Sequence, residues 1–262
     1  MIVRMYCSGL ASLCLALVPP PAGAAEREDA AAAAIEAAIA STDRPAADRD
    51  EDGRRRPAEL LAFLGVEPGM RVLDVFAAGG YYTELLARVV GVKGLVIAYN
   101  NPPYADFFSE RIEARYAGDR LSNVRQLTAP IDALGLAPRS LDAALFVMSY
   151  HDLYWRPDDG SWPATDPAVL LAALRSALRP GAVVVVQDHV AAAGLDPLES
   201  VSNLHRIDPA VVRRDFAAAG FEFEAESGML AHPADDHSLQ VFDPGIRGRT
   251  DQFVFRFRNP LE

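Results

Sequence analysis

Five mostly apolar runs constrain the fold of this chain more than any other feature. They are rich in β-branched and aromatic residues, and they cover residues 71–76, 94–100, 123–129, 141–150 and 182–189. A strand that is apolar along its whole length is buried on both faces, as in a parallel sheet covered by helices. Helical patterns separate several of the runs, at about residues 81–90, 105–117 and 167–178. The chain is therefore predicted to form a doubly wound α/β sheet.

The C-terminal part continues this pattern and then changes. A helix is predicted over residues 208–220, because it opens on Asp208 and a proline and closes on Gly220. Two strands follow, at residues 221–227 and 252–259. The polar, Pro- and Gly-marked segment between them is long for a compact domain, and such loops are usually functional or mobile.

The first 24 residues have the pattern of a secretory signal peptide. Arg4 precedes a short apolar run, and "PPPAGAA" supplies small residues for cleavage after Ala24 or Ala25. The run is too short to span a membrane comfortably, although an uncleaved N-terminal anchor remains the alternative. Export, to the periplasm, is therefore expected. Cys7 and Cys14 both lie in this segment, so the mature chain would contain no disulfide and no thiolate nucleophile.

The remaining chain is predicted to have two parts. Residues 25–56 combine an alanine-rich helix, over residues 26–40, with a charged linker or surface arm from residue 43, and residues 57–262 form the folded domain. A net charge of −11 argues against nucleic acid and against anionic lipid as partners. A small-molecule substrate is expected instead.

Ligands of doubly wound sheets bind beyond the carboxyl ends of the strands, so the residues there are the candidates for a site. The first strand is followed by Asp74 and the loop "FAAGG", whose glycines permit close approach of a ligand to the backbone. Asn100 ends the second strand, and Asp132 follows the third. Each also has a plain structural explanation, in a tight turn or a local cap.

The fourth and fifth strands end in residues suited to proton transfer. Tyr150, His151 and Asp152 follow one, and Asp188 and His189 end the other. Histidine is the side chain best suited to proton transfer near neutral pH. His205 and Arg206 come next along the chain, and all five histidines follow strands that would line one site. The alternative is a set of structural histidines within an aromatic core.

The sequence also resembles the class I S-adenosylmethionine-dependent methyltransferases, in particular a bacterial group of predicted methyltransferases with signal peptides. The resemblance runs from about residue 55 to the C-terminus. The matching stretches are "VLDVFAAGGYYTELLARVVGVKG", "YNNPPYADF", "SYHDLYW", "LRPGAVVVVQDHVAAAG", "LHRIDPAVVRRDFAAAGF" and "HPADDHSLQVFDPGIRGRTDQFVFRF". It implies a Rossmann-like sheet, mostly parallel with an antiparallel last strand, that binds S-adenosylmethionine and transfers its methyl group to an unidentified acceptor.

The resemblance also implies roles for individual residues. The cofactor contacts after the first strand would be Asp74, Phe76, Ala78, Gly79, Gly80 and Tyr82. Phe76 and Ala78 replace glycines of the family motif; Ala78 is tolerable if its φ stays negative, and Phe76 is harmless if its ring points away from the cofactor. Asn100 takes the position of the acid that binds the ribose. Pro130 stands where an aspartate often contacts the adenine, and Asp132 is expected to replace it.

The expected mechanism is in-line methyl transfer, in which the protein supplies positioning and a dry pocket. For a hydroxyl or acid acceptor, His151 or His189 would act as the base, oriented by Asp152 or Asp188. Arg206 would bind an anionic group of the substrate.

Two other functions compete with this hypothesis. The first is a metal-dependent enzyme, because six side chains have the chemistry of metal ligands: His151, Asp152, Asp188, His189, His232 and His237. The second is a non-catalytic small-molecule-binding module, since an exported protein has no evident supply of S-adenosylmethionine.

Overall fold

The computed structural model describes residues 22–261. The predicted signal peptide therefore lies outside the described residues, apart from its last three. Seven strands form one sheet in the order β3-β2-β1-β4-β5-β7-β6. The strands are β1 (Arg71–Val75), β2 (Leu95–Asn100), β3 (Val124–Thr128), β4 (Leu141–Val147), β5 (Leu178–His189), β6 (Glu222–Ser227) and β7 (Gln252–Arg258).

The sheet confirms the predicted fold class. The pairs β1–β2, β1–β4, β2–β3 and β4–β5 are parallel, whereas β7 is antiparallel to both β5 and β6. The strand order reverses between β1 and β4, so their carboxyl ends flank the topological switch point at which ligands bind in such sheets.

Nine α-helices within residues 22–261 cover the sheet. They are α1 (Ala22–Ala40), α2 (Ala46–Arg55), α3 (Pro57–Leu64), α4 (Tyr81–Val90), α5 (Pro102–Phe107), α6 (Ser109–Tyr116), α7 (Pro167–Ala177), α8 (Pro197–Leu204) and α9 (Pro209–Ala218). Neighbouring strand residues point to opposite faces, so Leu73 and Val72 belong to two different apolar clusters. No helix of this part of the chain is long and apolar enough to cross a membrane.

The segment predicted as a charged linker differs from that expectation. Residues Ala46–Arg55 form helix α2, which ends on Arg56 in a left-handed conformation. The side chain of Arg44 is buried and makes an ion pair of 2.7 Å with Asp52. The Tyr81 hydroxyl, on α4, donates a hydrogen bond of 2.5 Å to the same carboxylate. The segment therefore packs on the folded domain of residues 57–262 instead of separating from it.

Candidate functional site

The loop between β1 and α4 has an unusual backbone. Phe76, Ala78 and Gly80 have φ values of 53°, 51° and 80°, so every second residue is left-handed. Such a conformation costs a residue with a side chain roughly 1–2 kcal/mol, whereas glycine adopts it freely. The condition under which Ala78 was tolerable, a negative φ, is therefore not met. Non-glycine residues held in this region are typical of functional sites, where the surrounding structure fixes them.

Hydrogen bonds from β2 hold this loop in place. The backbone N–H of Ala78 donates to Asn100 Oδ1 over 2.9 Å, and Asn100 Nδ2 donates to the carbonyl of Ala78 over 3.2 Å. The backbone N–H of Ala77 donates to the carbonyl of Tyr99 over 2.9 Å. The Asn100 amide thus fixes the loop. Only its second N–H and the second lone pair of its oxygen are left to bind the ribose, the role predicted from the sequence.

Two of the predicted cofactor contacts point into the protein interior. Asp74 is 3% exposed, and it accepts a hydrogen bond of 2.6 Å from the Thr83 hydroxyl on α4. Burial raises the pKa of Asp74 to about 7. The ring of Tyr82 lies in the apolar cluster that contains Val72, and its hydroxyl donates to the carbonyl of Arg55 over 3.1 Å. In this structure both side chains bond to other parts of the fold, Asp74 to α4 and Tyr82 to the end of α2.

The Phe76 ring belongs to an aromatic cluster at the carboxyl ends of β1 and β2. It stacks on Tyr104, with ring centroids 5.2 Å apart, and lies 5.4 Å from Tyr99. Tyr104 also contacts Phe108 and Trp162. Sequence reasoning missed Tyr104, although Asn101 followed by proline is a helix start signal that places it in the first turn of α5.

Helix α6 covers the glycine end of the loop. Arg115 Nε donates to the carbonyl of Gly79 over 3.0 Å, and the Arg111 side chain lies 3.0 Å from where a Cβ on Gly79 would stand. A cleft of about 210 Å³ opens beside it, between β2, β3 and helices α5 and α6. Its lining includes Asn100, Tyr116 and Thr128.

The second half of the site is the buried pair of His151 and Asp188 at the ends of β4 and β5, which together with His189 and His205 forms the histidine region. His151 Nδ1 lies 2.7 Å from Asp188 Oδ1, and its backbone N–H donates to Asp188 Oδ2 over 2.9 Å. His151 Nε2 is 3.5 Å from Asp152 Oδ1. The Tyr104 hydroxyl donates to the other oxygen of Asp152. These contacts connect the loop after β1 to the histidine region.

The charges around His151 decide which nitrogen atoms can accept a proton. Although burial opposes it, the carboxylates of Asp152 and Asp188 raise the pKa of His151 to about 9. Asp188 is fully buried, but the imidazolium beside it holds the pKa of its carboxyl below the usual range. His151 is therefore protonated near neutral pH, and it is unsuited to the role of base that the sequence suggested for it.

Two further imidazoles lie beside His151 and are neutral. His189 is 6.1 Å away between ring centroids, and its Nδ1 is hydrogen bonded to the Thr250 hydroxyl at 2.8 Å. The His205 ring is 5.6 Å away. Burial lowers the pKa of His189 to about 3 and that of His205 to about 4. Both rings are therefore unprotonated near neutral pH, and their low pKa makes them weak bases that can act as hydrogen-bond acceptors.

Two other predicted site residues serve the fold in this structure, and a third, Asp132, is exposed. Arg206 is 0% exposed; it pairs with Asp235 at 2.9 Å and donates to the carbonyls of Val190 and Leu239. The Tyr150 ring is in the core, and its hydroxyl donates to Asp215 over 3.0 Å. Arg206 is thus unavailable to a substrate anion, which corrects that expectation. Asp132 is exposed, beside the third strand's end, and its predicted contact with adenine stays a prediction.

The metal hypothesis finds no support in residues 22–261. No group of three or more His, Cys, Asp or Glu side chains in this range is arranged to hold a metal ion. The six proposed ligands do not form one group. His232 is exposed and His237 pairs with Asp251 at 3.0 Å, whereas the other four are His151 and its neighbours Asp152, Asp188 and His189.

Comparison with known proteins relates part of the chain to one family. The family model for protein-L-isoaspartate(D-aspartate) O-methyltransferase matches residues 55–111, from the end of α2 into α6. A comparison with curated protein sequences finds no match. The family match covers about a fifth of the chain and includes the loop after β1.

Solved structures resemble the chain over most of its length. A SAM-dependent methyltransferase from Aquifex aeolicus matches with a TM-score of 0.56 and 18% identity, over 81% of this chain and 94% of its own. An arsenic(III) S-adenosylmethionine methyltransferase from Chlamydomonas reinhardtii matches with a TM-score of 0.51 and 19% identity, over 93% and 74%. The [4+2]-cyclase SpnF matches with a TM-score of 0.54 and 18% identity, over 83% and 82%. These likenesses show that the chain has the class I methyltransferase fold.

Proposed function

We propose that this protein is an S-adenosylmethionine-dependent methyltransferase that acts on an acceptor still to be identified. The observation that carries the proposal is the loop after β1, which keeps left-handed φ values at Phe76, Ala78 and Gly80 even where glycine is absent. A strained backbone at the switch point of the sheet is difficult to explain by the fold alone. The match of residues 55–111 to a methyltransferase family supports the same function.

Unsatisfied polar atoms near the loop fit such a cofactor. Asn101 is 1% exposed; its Oδ1 caps α5 by accepting from the Tyr104 N–H, but its Nδ2 has no partner among the described residues. The hydroxyl of Tyr99, whose ring packs on Phe76, is buried without a partner as well. Buried polar atoms of this kind usually hydrogen bond to something, and the ribose hydroxyls of S-adenosylmethionine offer suitable partners.

The two halves of the site divide the work of methyl transfer. When bound, S-adenosylmethionine supplies an electrophilic methyl group. The rings of Phe76, Tyr104 and Trp162 exclude water around the loop, which strengthens electrostatic interactions there. His151 keeps its proton through Asp188, and the unprotonated imidazoles of His189 and His205 can accept a hydrogen bond that orients the acceptor.

The experiment is titration calorimetry of S-adenosylmethionine into the full chain. Binding in the micromolar range is expected. Asn101→Ser keeps a side-chain oxygen to cap α5 but lacks Nδ2, so it should weaken binding by roughly 3–10-fold, the value of one hydrogen bond. Asn203→Ser, at an exposed position of α8, is the matched control and should bind normally. Asp74→Ala is a poor probe, because Asp74 is buried and accepts a hydrogen bond from Thr83, so its loss would disturb the fold.

A non-catalytic binding module is the second candidate. It is favoured by one observation, that the Asn100 amide is committed to the loop and gives the ribose no charged partner. A folded protein that fails to bind S-adenosylmethionine at millimolar concentration would favour this candidate and contradict the methyltransferase proposal. The fold permits it, because a given fold serves several functions.

Export to the periplasm remains part of the proposal, on the basis of residues 1–24. Mass spectrometry of the protein recovered from a bacterial periplasmic extract would test it. A mature N-terminus at Ala25 or Glu26 is expected, and an intact Met1 in a cytoplasmic fraction would contradict it.

A further inference from the structure

His205 lies at the edge of the histidine region, and one of its ring nitrogens makes no hydrogen bond to the described residues. It ends α8 in a left-handed conformation, with a φ of 53°, which histidine adopts more readily than most residues but still uncommonly. Its Nδ1 is buried and has no hydrogen-bond partner among the described residues. His151 and His189 both have partners for Nδ1, so His205 differs from its neighbours.

Aromatic rings surround His205 on its outer side. The Trp155 ring is 5.5 Å away and the Phe242 ring is 5.1 Å away, between centroids. Phe242 is 53% exposed, and Trp155 is half-buried. Aromatic side chains next to a buried polar atom are typical of a small-molecule site, in which apolar walls hold the ligand and few polar groups orient it.

The charges near His205 do not favour a charged ligand. The imidazolium of His151 faces His205, but Asp188 and Asp152 stand behind it and offset its charge. Arg206, the adjacent cation, already pairs with Asp235 and donates hydrogen bonds to backbone carbonyls. An anion would lack an unpaired cation to bind, and a cation would lack an unpaired carboxylate, because both carboxylates are paired with His151.

We propose that His205, Trp155 and Phe242 bind a planar, uncharged aromatic molecule through a hydroxyl group that hydrogen bonds to His205 Nδ1. A hydroxyl suits this atom because it can donate to an unprotonated nitrogen or accept from a protonated one, whichever tautomer is present. The inference rests on the proposed function and names its acceptor class, since this molecule lies on the histidine side of the site.

The two tryptophans of the chain make the test direct. Trp155 and Trp162 lie 5.3 Å apart, and they are the only tryptophans in the sequence, so intrinsic fluorescence reports on this region. The full chain is titrated, without cofactor, with phenol, toluene and benzoate. Phenol should bind roughly 3–10-fold more tightly than toluene, the effect of one hydrogen bond, and also more tightly than benzoate. Equal binding of phenol and toluene, or a preference for benzoate, would overturn the proposal.

Variants of His205 distinguish the effect of its polar nitrogen from the effect of its aromatic ring. His205→Phe keeps an aromatic ring but has no polar atom, so phenol and toluene should bind about equally. His205→Gly suits the left-handed backbone and should lose the same preference if the phenylalanine variant folds poorly. His232→Phe, at an exposed position, is the control and should keep the preference. A preference that survives in either His205 variant contradicts the proposal. Since no cofactor is present, this result is independent of S-adenosylmethionine binding.

Discussion

At the scale of single residues, two neighbouring alanines show how the loop after β1 is built. Ala78 has a φ of 51°, whereas Ala77 is not left-handed. Both are half-buried and differ mainly in backbone conformation. Substitution of each alanine by glycine therefore removes the same methyl group, but only at Ala78 does it also relieve a left-handed conformation.

We expect Ala78→Gly to raise the free energy of unfolding by about 0.5–1 kcal/mol. Relief of left-handed strain is worth roughly 1–2 kcal/mol, and the added freedom of glycine in the unfolded chain offsets part of it. Ala77→Gly should lower the same free energy by roughly 0.5–1 kcal/mol, because it adds that freedom without relieving strain. Urea denaturation measures both, and equal losses in the two variants would contradict a left-handed Ala78.

The sequence placed several site residues correctly along the sheet edge but not their partners. Asn100 was expected to face a ligand, yet its amide holds Ala78, which lies 22 residues earlier in the chain. Arg206 pairs with Asp235, 29 residues away. A strand pattern predicts where a residue lies along the sheet, because local periodicity fixes it. It does not predict which distant loop returns to meet the side chain.

At the scale of secondary structure, a buried carboxylate joins α4 to its surroundings. Glu84 is fully buried and pairs with Arg88 at 2.9 Å, with Arg115, and with Arg120 at 2.6 Å. Arg115 also pairs with Asp48 on α2 and donates to the carbonyl of Gly79. Although burial opposes it, hydrogen bonds from the three arginines lower the pKa of Glu84 to about 2.

Removing the charge of Glu84 should weaken the packing of α6 on the loop after β1. Glu84→Gln is expected to lower the free energy of unfolding by about 3 kcal/mol near neutral pH, because three arginines lose their shared buried partner. The pKa of Glu84 is lower in the folded protein than its ordinary 4.5, so its stabilisation is complete above 4.5 and declines as pH falls through about 2. The difference between the variant and the native protein should therefore shrink over that range.

Chemical denaturation at several pH values measures this difference, with Glu110→Gln as the control because Glu110 is exposed on α6. Hydrogen exchange should also become faster in α6 of the Glu84 variant. A loss of stability that stays constant down to pH 2 would argue against ionised Glu84 as its source.

The elements themselves were predicted unevenly. The helix expected at residues 81–90 is α4, and the strand expected at residues 71–76 is β1. Helix α2 was missed because none of its residues is buried, so it has no apolar periodicity to detect. It is held instead by ion pairs with residues distant in the chain, as Asp48 is with Arg115. The helix expected over residues 105–117 is interrupted at Phe108, which separates α5 from α6.

At the scale of the whole molecule, the N-terminal helices form part of the domain. Ile35 and Ala38 of α1 are buried in the apolar cluster that contains Val72. Asp48 and Asp52 of α2 pair with Arg115 and with Arg44. These contacts lie around α4 and α6, the two helices next to the loop after β1. The predicted division at residue 57 therefore crosses a packed interface.

We expect a chain of residues 57–262 to be less stable than a chain of residues 25–262 by at least about 3 kcal/mol. Loss of the buried Ile35 side chain alone accounts for roughly 1.5–3 kcal/mol, and Arg115 and Tyr81 also lose their partners Asp48 and Asp52. Urea denaturation of both chains measures the difference. If the shorter chain unfolds with the same free energy, residues 25–56 are a linker, as their composition suggested. If it is less stable, cofactor binding should also weaken, because α2 braces Arg115 and, through it, the carbonyl of Gly79 in the loop.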